Sequence, residues 1–177
     1  MPTLHVSPLS CLEKTIATVA PSHLVSLMSV GMEIERPASI APAHHLSISV
    51  HDIVEPREGY VLAGPEHMEQ LLAFIRAWDR QAPLLFHCWA GISRSTAAAY
   101  IAACALAPDR DEAELARALR AASPSATPNA HFVALADDLL NRQGRMIEAI
   151  RAIGRGAEAM EGSPFMLQLN RGASDSM

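Results

Sequence analysis

The sequence predicts an α/β fold in which helices flank a central, mostly parallel sheet. Segments with strand periodicity alternate along the chain with segments of helical periodicity. An apolar segment at 83–88 leads directly into an alanine-rich, almost uncharged segment at 93–106, as expected when a buried strand is followed by a buried helix. The chain has 177 residues, and because half of them are hydrophobic it can build one sizeable core.

Each element of the N-terminal half follows from its own pattern. Apolar residues at helical spacing predict helices at 9–19 and 66–79. Short apolar or alternating runs predict strands at 3–6, 23–29, 46–50 and 83–88. Turn-forming residues fill 31–42, and a loop is expected at 53–65.

The C-terminal half is predicted to be helical. Helices are expected at 93–106 and at 111–121, followed by a turn at 123–128 and a helix that starts at 132–140 and continues through 153. We expect a single domain over residues 1–155 and a loose tail over 156–177, where glycines are frequent.

The loop after the strand at 83–88 carries the most informative motif. Cys88 ends the strand, Arg94 follows six positions later, and Gly91 and Ser95 complete the pattern Cys-x-x-Gly-x-x-Arg-Ser. Spacing alone is weak, because Cys104 also has an arginine six places on, without a glycine between them. With the glycine and the hydroxyl required as well, about 0.001 matches are expected by chance in this composition.

This loop has the composition of a phosphate site. Backbone N–H groups that wrap around one point form an anion nest, and the following helix directs its positive end at the same point. Arg94 adds a planar fork that can take two phosphate oxygens. The candidate phosphate-binding residues are Trp89, Ala90, Gly91, Ile92, Ser93 and Arg94.

Cys88 is the candidate nucleophile. The helix N-terminus and Arg94 stabilise a negative sulfur, so we expect a thiolate. A thiolate in a phosphate-sized nest is placed to attack phosphorus and form a phosphocysteine. Ser95 is expected to donate a hydrogen bond to this sulfur and improve it as a leaving group.

The departing oxygen needs a proton, and Asp52 is the candidate general acid. It follows the predicted strand at 46–50, and if that strand is parallel to the one ending at Cys88, both residues lie at the same sheet edge. Glu55 and Glu58 follow on the same loop and stay open as the acid or its helper.

The composition of the chain argues against several classes of binding partner. A net charge of −5 with one lysine argues against nucleic acid and against a membrane surface. No signal peptide or membrane-spanning stretch is recognisable, so a cytoplasmic protein is expected. Three cysteines do not suggest a disulfide framework, and the histidines lack metal-ligand spacing, so no metal and no cofactor are expected.

The stretch from His87 to Ser95 resembles the signature of the cysteine-dependent protein-tyrosine phosphatases, and most of all their compact dual-specificity branch and bacterial tyrosine phosphatases. Pro128, Asn129 and Phe132 resemble a segment found downstream in that branch. The resemblance implies a phosphotyrosine-phosphatase-II-type α/β fold and metal-free hydrolysis of phosphorylated proteins or peptides. It also implies Cys88 as nucleophile, Arg94 as phosphate binder and Asp52 as acid.

Three alternatives stay open at this stage. The same loop could serve a phosphoinositide or small-phosphometabolite phosphatase, although no lysine in it favours a polyanionic ring. A non-catalytic phosphate-binding module would be expected to lack Cys88, Arg94 or Asp52, and a sulfur-transfer protein would have no use for Asp52.

Trp89 either lines the mouth of the pocket or packs beneath the loop.

Overall fold

The computed structural model describes residues 2–169. Five strands and six helices follow one another in the order β1 (Thr3–Pro8), α1 (Leu12–Val19), β2 (His23–Met28), β3 (His45–Ser49), α2 (Pro65–Ala77), β4 (Leu84–Cys88), α3 (Arg94–Leu106), α4 (Glu112–Ala122), α5 (Ala130–Leu139), α6 (Arg145–Ile153) and β5 (Phe165–Gln168).

The strands form one sheet in the order β3-β2-β4-β1-β5. The first four are parallel and β5 runs antiparallel to β1, which confirms the predicted mostly parallel sheet. Because β2, β3 and β4 are parallel, their carboxyl ends lie at the same edge, with Pro8 of β1 opposite Cys88 of β4. We call this the carboxyl edge of the sheet, and the site is built there.

The helix α3 occupies the centre of the main core. Every residue of this helix except Ala105 is buried, and the helix contacts β1, β2 and β4 on one side and α2, α4 and α5 on the other. Its many alanines allow the close approach that such a position requires. On the opposite face of the sheet, α1 covers a smaller cluster that contains Leu12, Leu24, Ile40 and Leu85.

The prediction of one helix continuing through residue 153 is wrong. The chain breaks after α5, where Asn141, Gln143 and Gly144 have φ of 53°, 56° and 85°. These left-handed residues turn the backbone out of the helical path. The Asp137 carboxylate then accepts the N–H groups of Gly144 and Met146 at 2.7 and 2.9 Å and so caps the start of α6.

The predicted loose tail from residue 156 onward is also corrected by the structure, up to residue 169. The segment 154–162, which we call the C-terminal strap, is tied down through its backbone. Its hydrogen bonds run from Gly156 N to Thr127 Oγ1 (3.1 Å), from Ala157 N to Pro124 O (2.9 Å) and from Gly162 N to Ala90 O (2.7 Å). β5 follows and extends the sheet beside β1. The remainder of the predicted tail, 170–177, lies outside the described residues.

Candidate active site

Residues 88–94 form the loop that connects β4 to α3, which we call the phosphate loop. Gly91 allows its sharp turn, because the backbone there has φ of +66°. A Cβ at this position would also come within 2.7 Å of the backbone nitrogen of Pro8 on β1. Glycine is therefore required by conformation and by space.

The carbonyl groups of the phosphate loop are bound by chain segments around it. Four backbone N–H groups donate to them: Leu9 to Trp89 O at 3.0 Å, Gly162 to Ala90 O at 2.7 Å, Thr127 to Ile92 O at 2.9 Å and Asn129 to Ser93 O at 3.2 Å. By contrast, the N–H groups of residues 89–93 have no hydrogen-bond partner among residues 2–169. The loop thus offers a row of backbone donors, as an anion nest requires.

The candidate nucleophile lies at the base of this loop. Cys88 is 3% exposed, and its Sγ lies 3.0 Å from the hydroxyl oxygen of Ser95. Ser95 is completely buried in the first turn of α3. The hydroxyl of Ser95 and the N-terminus of α3 are therefore both close to the sulfur.

The guanidinium of Arg94 is buried and held from one side. Its Nη1 donates to the carbonyl of Val50 at 2.8 Å and to the hydroxyl of Ser29 at 3.2 Å, and these residues follow β3 and β2. Its Nε and Nη2 form no hydrogen bond with any described residue. That edge is the one that can bind two oxygens of a phosphate together.

The sheet topology brings Asp52 to the same site, although 36 positions separate it from Cys88. Its Oδ1 accepts hydrogen bonds from the hydroxyl of Ser93 at 2.7 Å and from the amide Nδ2 of Asn129 at 2.8 Å. Its Oδ2 has no hydrogen-bond partner within residues 2–169. Since Oδ1 accepts two hydrogen bonds, a proton on this carboxyl group resides on Oδ2.

Asn129 is a residue of this site to which sequence reasoning gave no role. Its side chain joins two functions: Oδ1 accepts the N–H groups of His131 and Phe132 and caps α5, while Nδ2 donates to Asp52 and to the carbonyl of Ile53. The capping half was detectable, because an asparagine before an apolar helical run is typical of an N-cap. The contact with Asp52 depends on tertiary structure and has no local signal.

The segment 50–64, which connects β3 to α2 and carries Asp52, is called the acid loop here, and two other carboxylates lie further along it. Glu55 and Glu58 are exposed, and neither forms a hydrogen bond with a residue of the phosphate loop. Glu55 lines a cavity of about 590 Å³ that also contains Asp52, Ser93 and Asn129. The loop is closed at its base, because the N–H of His51 donates to the carbonyl of Val61 and the N–H of Val61 donates to His51 Nδ1, both at 2.9 Å.

His87 precedes the nucleophile and is completely buried. Its Nε2 lies 2.7 Å from the hydroxyl of Ser26 on β2, and the same hydroxyl lies 2.8 Å from Nε2 of His45 on β3. Burial lowers the pKa of His87 to about 4, so the imidazole is neutral at pH 7. The side chain thus links three neighbouring strands below the site and stays uncharged.

Trp89 is 55% exposed, so its ring does not pack beneath the loop.

Between residues 2 and 169 no group of three or more histidine, cysteine, aspartate or glutamate side chains is arranged to hold a metal ion. Over the same residues, no helix combines the length and the apolar composition that crossing a bilayer requires.

Three solved phosphatase structures are similar to this fold. PTP-2 phosphatase of Cydia pomonella superposes with a TM-score of 0.61 and 20% identity, over 76% of this chain and 84% of that one. DUSP15 gives 0.63 and 19% over 86% and 91%, and human DUSP28 gives 0.58 and 20% over 85% and 95%. No protein-family model matches the sequence, and no curated protein does. The chain therefore shares the fold of these phosphatase structures.

Proposed function

We propose that the protein is a cysteine-dependent phosphatase that hydrolyses phosphate monoesters on tyrosine, or on serine and threonine, in phosphorylated proteins or peptides. The observation that carries this proposal is the phosphate loop itself: its carbonyls are bound from outside, its N–H groups are free, and Cys88 and Arg94 stand at its two ends. The similar solved structures are phosphatases by name, which supports the same chemistry.

In the first step, the thiolate of Cys88 attacks phosphorus as the bond from phosphorus to the ester oxygen breaks. Arg94 binds two of the equatorial oxygens through Nε and Nη2, and the loop N–H groups bind the negative charge. The departing oxygen takes its proton from Oδ2 of Asp52. The products are the free hydroxyl of the substrate and a phosphocysteine.

In the second step, water attacks the phosphocysteine. Asp52, now a carboxylate, accepts a proton from this water as the bond between phosphorus and sulfur breaks. The hydroxyl of Ser95, 3.0 Å from the sulfur, stabilises the thiolate that leaves. The overall reaction consumes one water and releases inorganic phosphate, and the enzyme returns to its starting state.

Two alternatives receive less support. A phosphoinositide or small-phosphometabolite phosphatase with the same loop would gain from basic side chains around the phosphate, and apart from Arg94 the loop has none. A non-catalytic phosphate-binding module does not need Asp52 fixed beside the loop by Ser93 and Asn129. A cytoplasmic setting fits the proposal, because reducing conditions protect a reactive thiolate from oxidation.

The proposal is tested by hydrolysis of an aryl phosphate and of a phosphotyrosine peptide in the presence of a metal chelator. Cys88→Ser is expected to abolish turnover, and Asp52→Asn to lower kcat by about 100-fold. Cys104→Ser is the matched control, because that thiol is buried in α3 and burial raises its pKa to about 12. It is expected to keep the native activity.

Each other result has a defined meaning. Phosphopeptide binding without turnover by the native protein contradicts the enzyme and supports a phosphate-binding module. Normal activity of Asp52→Asn, with Cys88→Ser inactive, moves the acid role to Glu55 or Glu58. Rapid acid quenching of the native enzyme is expected to retain one phosphate per chain on Cys88, identified by mass spectrometry of the peptide that contains it.

A further inference from the structure

Large apolar side chains that remain exposed are concentrated at one end of this molecule. Eight such side chains are exposed in the described part of the chain: Val30, Met32, Val54, Tyr60, Val61, Trp89, Met160 and Met166. Only Met166 belongs to a strand, the edge strand β5. Scattered exposed apolar residues are ordinary, but a concentration beside a candidate site indicates an interaction surface.

The other seven lie on segments that gather at the carboxyl edge of the sheet. Val30 and Met32 follow β2, and the acid loop after β3 carries Val54, Tyr60 and Val61. Trp89 follows β4, and Met160 precedes by two residues the glycine whose N–H donates to the carbonyl of Ala90. We call these seven residues the apolar rim, because their segments surround the phosphate loop.

Trp89 illustrates how the rim is presented. Its carbonyl oxygen is fixed by the N–H of Leu9 at 3.0 Å, so its backbone is held, while 55% of its surface stays exposed. The second tryptophan of the chain, Trp78, is only 3% exposed and donates its indole N–H to the carbonyl of Ala82. A fixed backbone with an exposed indole offers contact area at little cost in conformational entropy.

The charge of the same segments is negative. Outside Arg94, the segments 29–33, 51–61, 89–93 and 154–162 carry six carboxylates and two guanidiniums. The carboxylates are Glu33, Asp52, Glu55, Glu58, Glu158 and Glu161, and the guanidiniums are Arg57 and Arg155. Such a surface repels anionic lipid headgroups and acidic peptide segments and attracts cationic ones.

From these two observations we infer that the apolar rim binds the residues flanking the phosphorylated side chain of a polypeptide substrate, and that these flanking residues are apolar and basic. The inference rests on the proposed function and adds the substrate class to it. An extended peptide advances about 3.3 Å per residue, so the two or three residues on each side of the phosphorylated one reach the segments around the loop. Apolar flanks bury rim surface, and basic flanks pair with its carboxylates.

The test uses four phosphotyrosine peptides of equal length in which the flanking residues are apolar or polar, and basic or acidic, in all combinations. We expect the apolar and basic peptide to exceed the polar and acidic one about tenfold or more in kcat/KM, with a preference for basic flanks that weakens as salt is added. An aryl phosphate without flanks is measured in parallel. Phosphatidylcholine vesicles that contain a phosphoinositide form the sixth substrate.

The rim variant combines Met32→Ser with Val54→Ser, and the matched control is Met166→Ser, an equally exposed methionine on the far strand β5. For the apolar and basic peptide, the rim variant is expected to lower the ratio of its kcat/KM to that of the aryl phosphate about tenfold. The control is expected to leave this ratio unchanged.

The outcomes test the peptide selectivity of the rim and the proposed phosphatase activity separately. Equal rates on the four peptides, or equal effects of the rim variant and Met166→Ser, would show that the apolar rim does not select peptides. The proposed phosphatase activity would be unaffected by either result. Preferential hydrolysis of the vesicles would show that the rim binds a lipid surface, and this result would also overturn the inference of a peptide-binding rim. If the native protein does not hydrolyse the aryl phosphate, the proposed function fails, and the Kd values of the same four peptides then decide whether the rim selects them.

Discussion

At the scale of single residues, the two oxygens of Asp52 have different surroundings, and Asn129 is one of the two residues that cause the difference. Oδ1 is fixed by Ser93 and Asn129, while Oδ2 has no hydrogen-bond partner among the described residues. Asn129 can do this because its amide has both a donor and an acceptor, and the acceptor is already used by the N-terminus of α5. Neither aspartate nor serine could replace both contacts.

This division of roles gives the first prediction. Asn129→Asp keeps an acceptor for the N–H groups of His131 and Phe132, so the helical signal of α5 should be kept. It replaces the donor to Asp52 with a second carboxylate, so kcat should fall about tenfold or more on an aryl phosphate. Circular dichroism and steady-state kinetics of the same preparation check both halves. A loss of helical signal with unchanged kcat would show that Asn129 acts only as a cap.

His87 gives the second prediction. Its folded-state pKa of about 4 lies below the ordinary value of 6.5, so between these pH values the unfolded chain binds the proton and the folded chain does not. The stabilisation is therefore complete above about pH 6.5 and is lost as the pH falls toward 4. In that window the unfolding free energy should fall by up to about 1.4 kcal/mol per pH unit through this residue alone.

The comparison that checks it is native protein against His87→Gln, by urea denaturation at several pH values between 7.5 and 4.5. Burial also lowers the pKa values of His5, His23 and His45, so both proteins retain a slope from those residues. The variant should show a shallower dependence. Identical slopes would contradict the assignment of this pH effect to His87.

The position of a residue in the site could be predicted where its chemistry and the local sequence pattern point to the same place. The sequence predicts the hydrogen bond between Cys88 and Ser95, and in the structure the Cys88 sulfur lies 3.0 Å from the Ser95 hydroxyl. The sequence also predicts Asp52 beside the loop, and in the structure Asp52 accepts a hydrogen bond from Ser93 of the loop. Their catalytic roles remain predictions until the variants are measured. The contact of Asn129 with Asp52 could not be predicted, since it joins positions 77 apart in the chain.

At the scale of elements, the C-terminal strap supports the phosphate loop from outside. Gly162 donates to the carbonyl of Ala90, and a Cβ on Gly162 would lie 2.9 Å from the carbonyl oxygen of Gly91. Backbone on both sides of this contact leaves little room to adjust. The strap is therefore one of the segments that fix the position of the loop.

Gly162→Ala gives the third prediction. The added methyl group should displace the phosphate loop by a few tenths of an ångström and raise KM for an aryl phosphate several-fold, because a loop out of place binds phosphate less well. Gly64→Ala is the control, since the atoms nearest to its Cβ belong to the flexible side chain of Glu66. Kinetics and thermal melting of both variants decide the matter. Equal KM values for the two would disprove the support from the strap.

Elements were predictable where periodicity is strong and unpredictable where the tertiary structure decides. The strands around the site and the helices α2, α3 and α4 agree with their patterns to within a few residues. The break between α5 and α6 was missed because Asn141 and Gln143 adopt left-handed φ under the control of the Asp137 cap. The strand β5 was missed because glycines before it suggested a loose chain, whereas it is stabilised by pairing with β1.

At the scale of the whole molecule, the fold could be predicted because the order of elements restricts parallel sheets to few arrangements. Among the strands of residues 2–169, only β5 departs from the parallel arrangement, because it runs antiparallel to β1. Binding at the loop should in turn stabilise the entire fold, because a ligand that binds only the folded state adds its binding free energy to stability.

The fourth prediction uses this linkage. Orthovanadate at about 100 times its Kd should raise the unfolding free energy by about 2.7 kcal/mol, which corresponds to several degrees in Tm. Arg94→Lys should lose most of this increase, since lysine cannot bind two oxygens in one plane. Differential scanning fluorimetry of both proteins checks it. An equal rise in Tm for Arg94→Lys would place the anion elsewhere.

The four hydrogen bonds that hold the loop carbonyls come from Leu9, Thr127, Asn129 and Gly162, which span nearly the whole described sequence. Local contacts form early during folding, and contacts between distant parts of a chain form late. The anion nest therefore assembles among the last steps of folding. During refolding from urea, the recovery of catalytic turnover should lag behind the recovery of helical circular dichroism, and newly made chains should stay inactive until their final strand has docked.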